Sequence, residues 1–576
     1  MDLDVDDGTI NRVDDGSHYK LDPSDTTPLT EFSVLPSSDV WCDGTSQATR
    51  ICRFRNLCYR PESKVWFILK TASSTFVNVP EGRPTVELGT VDGHHHFFWS
   101  YEEASPYSES LRNVSVRYET VQHFIIRRLH PRNVMHNLHD DVLPMFHVLK
   151  QYVGGGREDL TMPFSLNDHR ILIADEHPPT DSTRPFQYLS NLPIRFGRYL
   201  DQDSNIVCFR DAVVGNRAHT NWYQYGFSSP QGPLDKLPNG LMVREVSEWF
   251  VRRIGLPLTI DEDPAAALES WNEIKASRDI IVVLQRKLNR LIVNPHELET
   301  ALKHELMGAD GQPMPVVFVS NERHTFEEQI RYLRRAKLVV GMHGSILAMA
   351  MFCRRGTTLL ELFPYGVPSE NYTPYRTMAN LENMGLIYRA WENNYPDRSI
   401  PHPEAVPLAG GITHLPQSEQ ETIKSTRWVP MHICCKNPYW LYRMYQDTHV
   451  TPMEIVALAR EGIAEGAALP LISVRRDVVQ AATVNPVLIE KITCLTGEQR
   501  RPGDLWAEWA VEPWLGSTVD HWNIHVENTD KQYTAKTDMP AMAITGFRPG
   551  EVVRFRIRGI VDAHPRPWGP FSSCTV

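Results

Sequence analysis

The run Leu338-Val339-Val340-Gly341-Met342-His343-Gly344-Ser345 decides the fold class predicted for this chain. Its apolar beginning is typical of a buried strand, and the residues that follow, 345–352, predict a helix. A strand that passes through glycines directly into a helix is half of the unit from which parallel sheets with crossover helices are built.

The sequence on both sides repeats this alternation. Apolar runs over 279–284, 316–319 and 357–362 predict three more strands, and residues 295–306 and 325–336 have helical spacing. Because strands alternate with helices, the sequence predicts an α/β domain with a parallel sheet.

The composition changes along the rest of the chain. The first thirty residues hold eight Asp against one Arg and one Lys, which predicts a disordered acidic tail over 1–36. Residues 37–255 combine strands and helices in a first half. Residues 256–465 form the second half with its return helices, and a small-residue stretch at 466–484 predicts a linker.

Residues 485–576 are predicted to form a separate all-β sandwich. Tryptophans are frequent there, and residues 521–526 and 553–558 alternate between polar and apolar as strands do. The segments 546–551 and 568–572 resemble those of a fibronectin type III domain.

Bulk properties argue against two classes of protein. The 576 residues carry a net charge of −11, which disfavours nonspecific nucleic-acid binding. No apolar run reaches the roughly eighteen residues of a membrane span, and the N-terminus lacks the pattern of a signal peptide. We therefore expect no membrane anchor in this chain.

Nine cysteines leave two possibilities open. Their spacing fits no zinc pattern, so they form either the disulfides of a secretory-pathway protein or scattered buried thiols. Cys494 and Cys574 lie near the two ends of the sandwich, as a disulfide that closes this domain would. Asn113 and Asn371 begin N-glycosylation sequons.

A nucleotide-like ligand is predicted at the carboxyl edge of the parallel sheet, where ligands of open α/β sheets bind. Met342, His343, Gly344 and Ser345 lie where a strand ends and a helix begins, so backbone N–H groups there suit a phosphate. A tight turn with a structural histidine is the alternative.

Arginines follow another strand at the same edge. Arg286 and Arg290 are candidates for a clamp on a diphosphate because guanidinium groups match phosphate oxygens, and Asn289 lies between them. A solvated basic loop is the alternative.

Glu361 is a lone carboxylate in an apolar strand. A buried carboxylate needs a partner, and the diol of a ribose is one candidate. An ion pair with Arg354 or Arg355 is the other.

A second polar cluster precedes a helix predicted over 142–152. It contains Asn133, His136, His139, Asp140 and Asp141. A carboxylate or an imidazole of this cluster suits a general base, whereas Asp140 or Asp141 could instead cap the helix. A metal site is disfavoured, because the sequence shows no third, distal ligand.

Two other segments are candidates for acceptor contacts. Trp222 and Tyr223 belong to an aromatic run that suits either a sugar-binding face or a core cluster. His414 lies in a polar, glycine-containing loop that could close on a donor.

These motifs together resemble the protein O-linked mannose β-1,4-N-acetylglucosaminyltransferase family. The wider class of that family includes EGF-domain O-GlcNAc transferases and plant xylosyltransferases. The matching segments are 133–136, 139–141, 222–227, 230–233, 289–292, 342–344, 361–365, 372–375, 410–415 and 445–448.

The resemblance implies a GT-B-like catalytic region of two Rossmann-like halves, followed by a fibronectin type III domain. It implies an enzyme of the endoplasmic reticulum that transfers GlcNAc from UDP-GlcNAc, with inversion, in a β-1,4 linkage. The acceptor would be O-linked mannose on a glycoprotein such as α-dystroglycan. UDP-GlcNAc is then a substrate, and no prosthetic group or essential divalent metal is expected. The resemblance also implies a homodimer.

The resemblance also assigns roles to residues. An Asn-x-x-His-x-x-x-Asp pattern of the wider class is matched by Asn133, His136 and Asp140, which favours Asp140 over Asp141 as the catalytic carboxylate. A related transferase with another UDP-sugar or an EGF-domain acceptor is one alternative. A non-catalytic carbohydrate- or peptide-binding protein on the same scaffold is another.

Overall fold

The structure is a computed structural model of the chain. It describes residues 27–80, 85–91, 94–153, 164–226, 230–256, 279–430, 433, 436–470, 489–495, 505–511, 519–561, 564–569 and 571–575. Among these residues, no helix is long and apolar enough to cross a membrane.

Strands are distributed over three regions of the chain. Those of the first half are β1 (Leu29–Val34), β2 (Asp39–Asp43), β3 (Ile51–Arg60), β4 (Val65–Leu69), β5 (Phe76–Val77), β6 (Val86–Glu87), β7 (Phe98–Trp99), β8 (Glu102–Ala104), β9 (Arg112–Glu119), β10 (Gln122–Ile126), β11 (His169–Ile173), β12 (Arg195–Phe196), β13 (Val207–Val214), β14 (Tyr223–Gln224) and β15 (Gly232–Pro233). Those of the second half are β16 (Ile280–Leu284), β17 (Val316–Val319), β18 (Ala336–Met342), β19 (Thr358–Phe363), β20 (Ile387–Glu392), β21 (Ser399–Ile400) and β22 (Asp447–Thr448). Those of the C-terminal unit are β23 (Ile489–Leu495), β24 (Leu505–Val511), β25 (His521–Glu527), β26 (Gln532–Thr537), β27 (Ala541–Ile544), β28 (Val552–Val561), β29 (His564–Pro565) and β30 (Ser572–Thr575).

Helices are confined to the two halves within the described residues. The α-helices are α1 (Leu143–Tyr152), α2 (Gly240–Arg253), α3 (Pro295–Glu305), α4 (Phe326–Arg335), α5 (Pro374–Ala379), α6 (Gln417–Ser425), α7 (Pro438–Met444) and α8 (Pro452–Ala467). Short 3-10 helices cover Gln47–Thr49, His95–Phe97, Glu109–Leu111, Asp181–Tyr188, Gly197–Tyr199, Ala218–Thr220, Ser345–Phe352, Pro396–Arg398 and Pro407–Ala409. A π-helix covers His136–Val142.

The second half contains the predicted parallel sheet. Its five strands have the order β17-β16-β18-β19-β20, and every neighbouring pair is parallel. Helices α3 and α8 pack on one face, while α4 and the 3-10 helix Ser345–Phe352 pack on the other. The carboxyl ends of β16, β18 and β19 therefore meet at one edge, as the sequence predicts.

The first half is built on an eleven-stranded sheet. Its centre, β12-β11-β10-β13, is parallel, and β3 and β2 extend it antiparallel. The prediction of a disordered tail over 1–36 is wrong for Leu29–Val34, because β1 pairs antiparallel with β9. Residues 1–26 of that tail lie outside the described residues.

The largest apolar cluster runs through both halves. It joins Phe146 of α1 and Phe250 of α2 to Ile330 of α4 and to Phe352. The rings of Phe250 and Phe352 are 5.9 Å apart. The segment predicted as a helix over 345–352 is 3-10, and all of its side chains are buried in this shared core.

Disulfide bonds support the secretory-pathway alternative for the cysteines. Cys42 is bonded to Cys52, and Cys58 is bonded to Cys208, which links β3 to its neighbour β13. Cys574 is also disulfide-bonded, but the side chain of Cys494, its predicted partner, lies outside the described part of the chain.

The C-terminal unit is antiparallel within its described residues. One sheet has the order β23-β24-β27, and a second contains β26, β25, β28 and β29, with β30 also paired to β28. Alternate residues of the strands, among them Leu505, Trp522 and Phe555, form a core of their own. The fibronectin type III assignment stays a prediction.

Candidate active site

A π-helix carries the first predicted cluster. The side-chain Oδ1 of Asn133 accepts from the backbone N–H groups of Met135 at 3.0 Å and His136 at 3.3 Å, and so fixes the start of the segment. All seven residues of the π-helix are buried, and α1 follows it directly. Helical turns of this kind are rare in proteins, and those that do occur often lie at functional sites. The interpretation of Asp140 or Asp141 as a cap of α1 is wrong, because both lie inside the π-helix.

Asp140 is the centre of a hydrogen-bonded cluster. Its Oδ2 lies 2.6 Å from Nδ1 of His136, and its Oδ1 lies 2.5 Å from Nδ1 of His139. The amide of Asn221 donates to Oδ1 at 3.2 Å. Burial alone would raise the pKa of Asp140, but the charges and hydrogen bonds of His139 and His136 hold it below its usual value. Asp140 is therefore an ionised carboxylate although it is fully buried.

The partners of the two histidines define where their protons lie. The backbone N–H of Trp222 donates to Nε2 of His139 at 2.9 Å, so the proton of that ring is on Nδ1. Because an ionised carboxylate only accepts, Nδ1 of His136 also carries its proton. Nε2 of a neutral His136 is then a proton acceptor, whereas both nitrogens of His139 are engaged.

Asp141 has the opposite character to its neighbour. Burial raises its pKa well above the usual value, and the charge of Asp140 raises it further. Its Oδ2 has no hydrogen-bond partner within the described part of the chain. Asp141 therefore favours its protonated form more than an ordinary aspartate does, so it is a poorer candidate for a base than Asp140.

A large cleft opens in front of His136. Its volume is about 1210 Å³. The first half contributes Asn133, His136 and Tyr225 to its wall, and the second half contributes Trp440 and Tyr445. A cleft of this size between two halves is a usual place for a substrate site.

The carboxyl edge of the parallel sheet carries the second predicted cluster. Nδ1 of His343, directly after β18, lies 2.5 Å from Oε1 of Glu361 in β19. The hydroxyl of Tyr388 in β20 donates to Oε2 of Glu361 at 2.6 Å. Glu361 is fully buried and both of its oxygens are engaged. The carboxylate thus orients His343, and its two oxygens are engaged by His343 and Tyr388.

The alternative ion pairs of Glu361 do not form. Arg354 pairs with Asp279 at 2.7 Å, and Arg355 donates to the backbone oxygen of Asn383 at 3.1 Å. The prediction of either arginine as the partner of Glu361 is therefore wrong.

Two arginines converge on Gly344. Arg290 donates from Nη1 to the backbone oxygen of His343 at 2.9 Å, and its guanidinium lies 4.8 Å from the ring centre of Tyr445. A Cβ at position 344 would lie 2.8 Å from Nη1 of Arg286 and 3.1 Å from Nη1 of Arg290. The absence of a side chain at position 344 lets both guanidinium groups approach the backbone this closely.

Tyrosines connect the two clusters. The hydroxyl of Tyr225 lies 3.0 Å from Nδ1 of His139, and its ring centre lies 4.3 Å from that of His136. Tyr375, whose ring centre is 5.6 Å from that of His343, is close enough to help raise the pKa of Tyr225, after burial and Asp140. The two predicted clusters thus belong to one region of the molecule.

The other predicted residues have different environments. Trp222 is fully buried and its indole N–H donates to the backbone oxygen of Pro374 at 2.9 Å, so it joins the halves and is not open to a sugar. Tyr223 is also buried, and His414 is exposed. The remaining candidates are Asn289, Met342 and Ser345, which are buried, and the sequon residues Asn113, which is exposed, and Asn371, which is half-buried.

Sequence reasoning missed three tyrosines of this region. Tyr225 is in the quoted aromatic run, but only its contact with His136 distinguishes it from its neighbours. Tyr388 and Tyr445 are far in sequence from the groups that they contact. Among the described residues, no group of three or more His, Cys, Asp or Glu is arranged to hold a metal ion.

Comparisons with known proteins identify the family of the chain. The glycosyltransferase 61 family matches residues 122–360. The chain is 33% identical over 427 residues to a Xenopus laevis protein named protein O-linked-mannose beta-1,4-N-acetylglucosaminyltransferase 2, with 73% of this chain and 68% of that protein covered. The Homo sapiens protein of the same name is 34% identical over 424 residues, with 73% and 68% covered. The Takifugu rubripes protein of that name is 31% identical over 481 residues, with 82% and 77% covered. The chain is therefore a glycosyltransferase and belongs to the family of protein O-linked-mannose beta-1,4-N-acetylglucosaminyltransferases 2.

Proposed function

We propose that this glycosyltransferase transfers GlcNAc from UDP-GlcNAc to O-linked mannose of a glycoprotein such as α-dystroglycan, in a β-1,4 linkage and with inversion. The observation that carries the proposal is the Asp140–His136 pair, in which Asp140 contacts Nδ1 of His136 at the wall of a cleft between the two halves. The names of the relatives supply the donor sugar and the acceptor.

His136 is the general base in this proposal. Its Nε2 takes the proton of the acceptor hydroxyl while the hydroxyl oxygen attacks the anomeric carbon of the donor. The bond from that carbon to the UDP oxygen breaks, and the electron pair leaves with UDP. Asp140 stabilises the imidazolium that forms, and Asn133 fixes the backbone from which His136 projects.

The arginines at Gly344 have the charge that the departing UDP requires. Negative charge develops on the diphosphate as the bond breaks, and guanidinium groups fixed before the reaction stabilise it without reorganisation. Arg286 and Arg290 are held beside the backbone of Gly344, and His343 is held by Glu361. We propose that these groups replace a divalent metal, so that transfer proceeds in the presence of a chelator.

The setting of the enzyme follows from its relatives and its cysteines. The chain belongs to the secretory pathway, as its glycosyltransferase family and its disulfide bonds indicate. We propose the lumen of the endoplasmic reticulum as the compartment and a homodimer as the assembly. We also propose that the two halves form a GT-B-like region and that the C-terminal unit is a fibronectin type III domain.

A matrix of donors and acceptors tests the proposed function. The full chain is incubated with several UDP-sugars and with either an O-mannosylated peptide or an EGF domain, and the product is identified by mass spectrometry and NMR. We expect a β-linked GlcNAc on mannose and no other product. Transfer only with another donor or only to the EGF domain would show a related transferase. Donor binding without any transfer would show a non-catalytic protein.

A pair of histidine variants tests the base. His136→Gln is expected to lower kcat by about 10² to 10⁴, the usual contribution of a general base. His296→Gln is the matched control, because the side chain of His296 is 96% exposed on α3. Equal activity of the two variants would remove His136 from the mechanism.

A further inference from the structure

A groove separate from the catalytic cleft lies where the C-terminal unit meets the first half. Its volume is about 560 Å³. Residues 72–78 form one wall, and Arg556, Arg558, Arg566, Trp568 and Phe571 contribute to the other. The two parts of the chain touch beside it, because the indole N–H of Trp41 donates to the backbone oxygen of Trp568 at 3.3 Å.

The alternation of β28 explains why arginines line this groove. Val553, Phe555 and Ile557 are buried in the core of the C-terminal unit. In a strand, the residues between them point to the opposite face. Arg556 and Arg558 therefore project together from that face into the groove.

Aromatic rings hold the arginines in place. The guanidinium of Arg556 lies 5.1 Å from the ring centre of Trp568 and 4.9 Å from that of Phe571. The guanidinium of Arg558 lies 4.5 Å from the ring centre of Trp568. Such cation–π contacts order the guanidinium planes, but they do not neutralise the positive charge of the guanidinium groups.

The groove has an excess of positive charge in a chain whose net charge is −11. Its described lining residues include three arginines and no Asp or Glu. The Nε atoms of Arg556 and Arg558 are buried without a hydrogen-bond partner in the described part of the chain. Burial lowers the pKa of Arg556, partly offset by Glu527, and the charge of Arg558 lowers it further. The guanidinium groups of Arg556 and Arg558 repel each other and have lost part of their hydration, and a bound anion would offset both of these unfavourable effects.

We propose that this groove binds an oxyanion of the sulfate or phosphate type, either free or carried on a glycan. Guanidinium forks match the oxygens of such groups, and stacking on aromatic rings reduces the rotamer freedom lost on binding. The ligand would be bound outside the cleft that contains His136, because the described lining residues of the two cavities do not overlap. The inference is therefore independent of the proposed sugar transfer.

Calorimetric titration of the full chain tests the proposal. Sodium sulfate, sodium phosphate and a heparin-derived tetrasaccharide are the probes. We expect binding that weakens with added sodium chloride, since exposed charges are screened at about 10 Å in 0.1 M salt. A tetrasaccharide affinity well above that of sulfate would identify a glycan as the source, and equal affinities would identify a free oxyanion.

Three variants and a control locate the site. Arg556→Gln and Arg558→Gln are each expected to raise Kd about tenfold or more, as for the loss of a charge-assisted hydrogen bond. Arg548→Gln removes the same charge from an exposed turn of the same unit and should leave Kd unchanged. Ser73→Asp adds a carboxylate to the opposite wall at an exposed position, so it should weaken binding without touching the arginines.

Two results would overturn the proposal. One is the absence of binding of all three probes to the unmodified chain at low salt. The other is an unchanged Kd in Ser73→Asp together with an unchanged Kd in whichever arginine variants fold, as judged by thermal unfolding. Transfer to a small mannosylated peptide is expected to be the same in all these variants, because none of them alters the cleft.

Discussion

Replacing Asp140 by asparagine should reverse the hydrogen-bond polarity at His136. Oδ1 of Asp140 faces His139 and Asn221, and both donate to it, whereas among the described residues Oδ2 faces only His136. The ring of His139 is fixed with its proton on Nδ1 by the N–H of Trp222. The amide of asparagine must therefore keep its oxygen toward His139 and place its NH₂ group against Nδ1 of His136. That nitrogen then accepts, and the proton of the His136 ring moves to Nε2, where it blocks base catalysis.

The magnitude follows from the loss of the correct tautomer. A buried carboxylate that orients a catalytic histidine is worth about 10³ to 10⁴ in kcat, which corresponds to about 4 to 5.5 kcal/mol of activation free energy. Because the proposed donor contacts belong to the other half, we expect the Kd of UDP to change by less than about twofold. Product formation under saturating donor and acceptor gives kcat, and calorimetric titration with UDP gives Kd.

The control for Asp140→Asn is the same substitution at an exposed aspartate. Asp530→Asn makes the same chemical change at an exposed position of the C-terminal unit and should leave kcat unaltered. A kcat of Asp140→Asn within about tenfold of the unmodified enzyme would refute the assignment of His136 as the base held by Asp140.

Three further substitutions test the surroundings of the site. Because burial raises the pKa of Asp141 above 3.8, the contribution of this carboxyl group to stability is present below that pH and is lost as the pH rises. Asp141→Asn should therefore raise Tm more at about pH 8 than at about pH 5. An equal rise of Tm at both pH values would contradict this. Gly344→Ala places a Cβ 2.8 Å from the Arg286 guanidinium, which moves more easily than backbone, so the donor KM should rise several-fold with little change in Tm; an unchanged KM would argue against the arginine clamp. Tyr388→Phe leaves one oxygen of buried Glu361 unpaired at a cost of about 1 to 3 kcal/mol, so Tm should fall and the donor KM should rise. An unchanged Tm and an unchanged KM would show that the hydrogen bond to Glu361 has no role in donor binding.

The sequence predicted the parallel sheet because its signal is local. The strands expected at 279–284, 316–319 and 357–362 are found at Ile280–Leu284, Val316–Val319 and Thr358–Phe363. Strands buried on both faces must be apolar throughout, and the helices between them must show a helical period. Their common carboxyl edge then follows from the topology, so the positions of His343 and Arg286 were predictable.

The partners of the site residues were not predictable in the same way. Whether Glu361 meets a ribose or a protein group depends on which residue of the neighbouring strand lies beside it, and Tyr388 is 27 positions away. The π-helix gives no sequence signal either, because its polar residues are buried by contacts with distant segments such as Asn221 and Trp222. Aromatic character alone did not reveal that Trp222 is buried while Tyr225 lines the cleft.

The apolar cluster shared by the two halves also bears on how the enzyme unfolds and moves. Separating the halves would expose Phe250 and Phe352 to water, at roughly 25 cal/mol for each Å² of apolar surface. Hinge opening of the cleft is therefore opposed, and substrates enter a cleft that exists before they bind. From this shared cluster we expect the two halves to unfold as one cooperative unit in calorimetry, and we expect the C-terminal unit, which has its own core, to unfold in a separate transition.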